Sequence, residues 1–193
     1  MAVRIPSVRN KHGATTAHII AEQIALCESN IRNVQEIAIY RKEREIRDEI
    51  NRRLRVCHDF LGMAGSRKYG CLYKEVKIDE DQPLICEHAI PVSGLVSLYE
   101  SGVPFEKLVF YPVVRILKTS DKKFEEMGLV KSGFDEEFIF LRYAKAGIPI
   151  ETHFGREIDT NSWTIENHWE FIKQTPEIMK IKKHVRELLN KNV

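Results

Sequence analysis

At 193 residues, with hydrophobic residues at 43% and charged residues at 30%, the chain is long enough to bury a substantial core. No apolar run approaches the ~20 residues needed to cross a bilayer, the opening Met-Ala-Val-Arg-Ile-Pro lacks the apolar centre of a signal peptide, and Cys27, Cys57, Cys71 and Cys86 form no CxxC pair. Membrane spans, zinc knuckles and disulfide frameworks are therefore not expected, and a reducing, cytoplasmic setting is.

The net charge of +2 hides an uneven distribution: +5 over residues 1–70, −6 over residues 71–173 and +3 over residues 174–193. Basic ends around an acidic middle are what a protein that grips an anionic polymer would show. Residues 1–13 carry Arg4, Arg9 and Lys11 without periodicity and read as a basic arm.

From Thr15 to about Phe60 the pattern is helical, with no proline and apolar residues at helical spacing: Ile19, Ile20, Ile24 and Cys27, then Ile31 and Val34. Ser29-Asn30 is a candidate break, giving two helices or one long bent one. Further on, Ile46, Ile50, Leu54, Cys57 and Leu61 form a narrow stripe, and the opposite face bears arginines interleaved with acids. That stripe predicts pairing with a second copy, or an amphipathic helix whose charged face is simply solvated. Arg52, Arg53 and Arg55 are free of intervening acids and are the first candidates for contact with a nucleic-acid backbone.

Gly62, Gly65, Ser66 and Gly70 mark a boundary. Beyond it, residues 71–78 alternate partly and predict a strand or short helix, Asp79-Glu80-Asp81 an acidic turn, and Pro83–His88 a strand. Two short helices are predicted over residues 92–98 and 103–111, and a strand over Val113–Lys118 runs directly into a helix ending at Gly128, with Thr119 as its cap. Asp135–Ala146 reads as a helix with Arg142 and Lys145 on its surface, residues 153–156 as a loop, and Glu177–Leu189 as a basic amphipathic helix.

The chemistry concentrates between Pro83 and Phe124. A neutral imidazole at His88 can take a proton from water, and the carboxylates of Glu87 and Asp121 are hard ligands of the kind Mg²⁺ or Mn²⁺ prefers. Base and cation together suit phosphodiester hydrolysis.

Glu87-His88-Ala89-Ile90-Pro91, the strand Val113–Lys118 and the helix opening at Thr119-Ser120-Asp121 resemble the HNH or ββα-metal nuclease motif. The resemblance implies His88 as general base and Glu87 and Asp121 as ligands of Mg²⁺ or Mn²⁺. Three departures stand out: Val113, Val114 and Arg115 occupy the region of the family's central Asn, a helical insertion over Val92 to Phe110 separates the two halves of the motif, and the structural-zinc cysteines are missing. The implied protein is a DNA endonuclease. Arg115, Lys118 and Lys122 join Arg52, Arg53 and Arg55 as candidate DNA contacts, and a homodimer is expected through the N-terminal helices. The alternative is a non-catalytic nucleic-acid- or protein-binding helical module.

The expected fold is α+β and mostly helical: long N-terminal helices (1–65), a ββα-metal-like core with a helical insertion between its strands (66–150), and a C-terminal loop and basic helix (151–193).

Overall fold

The computed structural model describes residues 16–36, 43–61, 71–78 and 81–190. The expected basic arm, the Gly62–Gly70 boundary and Asp79-Glu80 lie outside them. Among the described residues the chain is α+β and mostly helical, as its periodicities require.

Two long helices come first, α1 (Thr16–Glu36) and α2 (Glu43–Phe60). Ser29-Asn30 does not break α1, because Cys27 and Ile31 on either side are both buried and hold the helix down. In α2, Glu43 and Glu45 lie in the first turn, where the helix dipole favours acids. The stripe expected to pair with a second copy is used within the chain instead: Ile50, Leu54, Cys57 and Leu61 are at most 1% exposed. Helix α1 packs against α2 and against the last helix, α8 (Pro176–Asn190).

A five-stranded sheet follows, in the order β2-β3-β1-β4-β5, with β1 (Tyr73–Glu75), β2 (Leu84–His88), β3 (Val113–Leu117), β4 (Ile150–Thr152) and β5 (Glu157–Ile158). The β1–β3 pair is parallel and the other three pairs are antiparallel. Strand β2 is an edge, its His88 opposite Val113 and its Leu84 opposite Leu117. Between β2 and β3 the chain makes α3 (Val92–Glu100) and α4 (Phe105–Leu108). Gly94 of α3 is required by close packing, since a Cβ there would meet Ile90 Cγ2 at 2.8 Å.

Helix α5 (Lys118–Glu126) has Leu117 at its N-cap and so starts two residues earlier than a Thr119 cap would allow. Glu75, on the neighbouring strand β1, supplies the cap from a distance: its carboxylate accepts from Leu117 N at 2.9 Å and from Ser120 Oγ at 2.7 Å.

The helix expected over Asp135–Ala146 is shortened to α6 (Leu141–Lys145). Asp135 Oδ1 accepts from the amides of Glu137 (2.8 Å) and Phe138 (2.9 Å), an Asx turn that competes with helix at that end. Strands β4 and β5 flank the loop expected at residues 153–156 and are themselves too short for alternation to register. Helix α7 (Ile165–Lys173) opens with a reciprocal Thr164–Asn167 capping box. One buried cluster runs from Ile20 of α1 through Tyr73, Ile116 and Tyr143 to Val185 of α8, so the segments 1–65, 66–150 and 151–193 share a core. No helix among the described residues is long and apolar enough to cross a membrane.

Candidate active site

Adjacent side chains of a strand leave opposite faces, and this decides what Glu87 and His88 do. His88, the last residue of β2, turns to α2, where its Nε2 lies 2.8 Å from Nδ1 of His58. His58 Nε2 in turn lies 3.1 Å from the carbonyl oxygen of Val109. A carbonyl only accepts, so His58 carries its proton on Nε2 and leaves Nδ1 as an acceptor. His88 must then donate from Nε2, which leaves its Nδ1 with the lone pair of a base.

Both rings are kept neutral. Burial is the main cause, lowering His58 to about 4 and His88 well below its ordinary value of 6.5, with the neighbouring His58 and the Arg55 charge adding to the effect on His88. The two imidazoles line a cleft of about 460 Å³ whose walls include Asn51, Arg55, Cys86, Glu87 and Lys131.

Glu87 turns the other way, to α6. Its Oε1 accepts from Arg142 Nη2, which also donates to the carbonyl of His88, the residue beside it. Arg142 is 0% exposed, with its guanidinium 4.5 Å from the Phe124 ring centroid and Nη1 donating to Leu129 O at 3.2 Å. Arg142, expected on a helix surface, is instead the buried counter-ion of Glu87. Burial raises the Glu87 carboxyl, Arg142 pulls it back, and Asp121 raises it further. Asp121 itself is raised by burial and by Glu125, and lowered by Arg142. The two acids expected to share a divalent cation do influence each other's charge, and the cation that acts on both is the Arg142 guanidinium, which bonds to Glu87.

No family model, no curated protein and no solved structure matches the chain.

The geometry of the site fits Mg²⁺ or Mn²⁺ poorly. These ions want several oxygen ligands in an open shell, whereas Glu87 is engaged by Arg142, and no group of three or more His, Cys, Asp or Glu is placed to hold a metal among the described residues.

The basic candidates separate in a similar way. Arg52 and Arg53 both bind Glu49, with Nε–oxygen distances of 3.0 and 2.7 Å. Arg55 bonds only lightly to its own helix, through Asn51 Oδ1 at 2.8 Å, and lines the cleft beside the histidines. Arg115 stands opposite Cys86 in the β2–β3 register, Lys118 and Lys122 are exposed on α5, and Lys118 acts on Asp121. Sequence reasoning missed His58, Arg142 and Lys131. For His58 a signal was present: it follows Cys57 on the stripe side of α2, where an imidazole needs a partner.

Proposed function

We propose that the cleft at the β2 edge hydrolyses phosphodiester bonds, with His88 as general base and DNA as the substrate. The observation that carries this reading is the chain Val109 O, His58, His88. It holds His88 neutral, in one tautomer, at the wall of an open cleft. Arg55 and Lys131 supply the positive charge that would hold a phosphate there and stabilise charge on it as water attacks. Exposed lysines of α5 would extend the grip along the backbone. Cutting both strands of a duplex would take two copies of the cleft, and with the α2 stripe turned into the core those copies would meet through another surface.

The test is plasmid nicking by the purified protein, with Mg²⁺, with Mn²⁺ and with chelator, compared with His88→Ala. Nicking that His88→Ala abolishes while DNA binding persists supports the reading. DNA binding with no nicking under any condition returns the chain to the alternative, a non-catalytic nucleic-acid-binding module. Nicking only with Mg²⁺ or Mn²⁺ means that Arg142 yields Glu87 to a metal, and restores the two-carboxylate site.

A further inference from the structure

A second cleft, of about 570 Å³, opens between α4, α7 and α8. Its floor is aromatic: Lys107 Nζ and Lys182 Nζ lie 5.4 and 5.1 Å from the centroid of the same indole, Trp169, and Lys182 Nζ is 5.5 Å from the Phe110 centroid. Arg186 completes the cationic wall. The acids of the same wall, Glu106 and Glu187, do not neutralise it. Glu187 is taken by Lys183 at 3.9 Å and by His184 at 3.1 Å, while Glu106 attracts Lys182 without forming an ion pair with it. Among the described residues Lys107, Lys182 and Arg186 make no ion pair within 4.0 Å.

Bringing three cations together over aromatic surface costs free energy unless something offsets it, and cation–π attraction recovers only about 0.5–2 kcal/mol for each ammonium. A multiply charged anion offsets it best. Pro104, Phe110, Met179 and Val185 add apolar lining and Lys173 and Asn190 polar lining, and a cleft of mixed character and this size suits a small organic ligand.

We propose that this cleft binds a nucleoside polyphosphate, its phosphates on Lys107, Lys182 and Arg186 and its base against the exposed Met179 and the half-buried Trp169. The cleft shares no residue with the histidine cleft, so its occupancy does not depend on the hydrolytic reading.

Titration with ATP and with inorganic pyrophosphate, followed by calorimetry and by tryptophan fluorescence, tests this. ATP is expected to bind more tightly than pyrophosphate and to perturb Trp169, an effect that Trp169→Phe removes and Trp163→Phe keeps. The Lys182→Ala/Arg186→Ala variant is expected to bind ATP about tenfold or more weakly, with circular dichroism and melting temperature close to those of the unaltered protein, and Lys107→Ala, altered at an exposed residue, to move in the same direction. His88→Ala is expected to bind ATP as the unaltered chain does. Equal affinity for pyrophosphate and ATP removes the nucleoside from the proposal. Absence of binding at about 1 mM of either, or an affinity untouched by all of the lysine and arginine substitutions, overturns it. So does tight binding of a single-stranded oligonucleotide at these same residues without binding of ATP, which makes the cleft part of a polymer track.

Discussion

His58 Nδ1 lies 2.8 Å from His88 Nε2, and the Val109 carbonyl at the far side of His58 determines which of the two nitrogens carries the proton. For the proposed hydrolysis this makes His58 a positioning residue. His88→Ala is expected to lower cleavage by about 10²–10⁴-fold, the usual contribution of a general base. His58→Ala should cost less, because His88 remains but its ring and tautomer are no longer fixed, and His58→Gln, which can still accept, should recover part of the loss. The pH profile separates this from a merely structural effect. An ordinary histidine is half protonated at 6.5, whereas His88 is held well below that value, so the rate should stay flat as pH falls from about 7.5 through 6.5. A rate that halves near 6.5 contradicts the assignment.

The Glu87–Arg142 pair predicts a stability effect of a different origin. Arg142 is wholly enclosed and Glu87 mostly so, so removing one partner leaves the other charge without an answer. Arg142→Met should destabilise by about 3–5 kcal/mol. Adding Glu87→Gln should recover part of that, because the stranded carboxylate is then gone. Urea denaturation of the three variants measures both effects, and simple additivity of the two substitutions would show that the pair is not coupled.

What the sequence revealed and what it hid divide along physical lines. The stripe of α2 and the run of β3 into α5 repeat at fixed periods over many residues, so they could be read directly. Glu87 and His88 stood out as a pair for being adjacent, yet adjacency on a strand is what sends them to opposite faces. Their true partners come from far along the chain: His58 is 30 residues from His88, and Arg142 is 55 from Glu87. Nothing periodic links such positions. Glu75 capping α5 from the neighbouring strand is the same kind of tertiary contact, invisible to a reading that looks for caps in the local sequence. The α2 stripe was legible as apolar, but not as facing α1 and the core rather than a second copy.

Because that stripe faces inward, the N-terminal helices and the sheet should unfold together. Leu54, 0% exposed in α2, belongs to the same cluster as Tyr73 of β1 and Val185 of α8. Leu54→Ala should cost about 2–5 kcal/mol and lower the single unfolding midpoint seen by both circular dichroism and tryptophan fluorescence. Both tryptophans lie in the C-terminal third, so fluorescence reports on a region distant in sequence from the substitution. Two separate transitions, with only the helical signal shifted, would mean that the N-terminal helices fold independently.

The buried histidines also set an acid limit on stability. His168, on the buried face of α7, has Nε2 2.8 Å from Phe110 O and Nδ1 2.9 Å from Tyr73 Oη. The carbonyl again fixes the tautomer, so Nδ1 accepts from the tyrosine. Burial lowers His168 to about 3 and His58 to about 4, from an ordinary 6.5. A histidine whose folded pKa lies below its unfolded one binds fewer protons when folded. Its contribution is therefore complete above about 6.5 and is lost as pH falls toward the folded value, amounting to about 2 kcal/mol for each of these rings by pH 5. Raised acids such as Glu28 and Glu87 work in the opposite sense, so the diagnostic quantity is a difference between variants. Relative to the unaltered chain, His168→Gln should lose about 2 kcal/mol less between pH 7 and pH 5 in urea denaturation. If that variant does not fold, the His168 ring resonances of the unaltered protein give the same answer by NMR: they should show no titration down to pH 5, and a midpoint near 6.5 would mean that the ring is open to solvent.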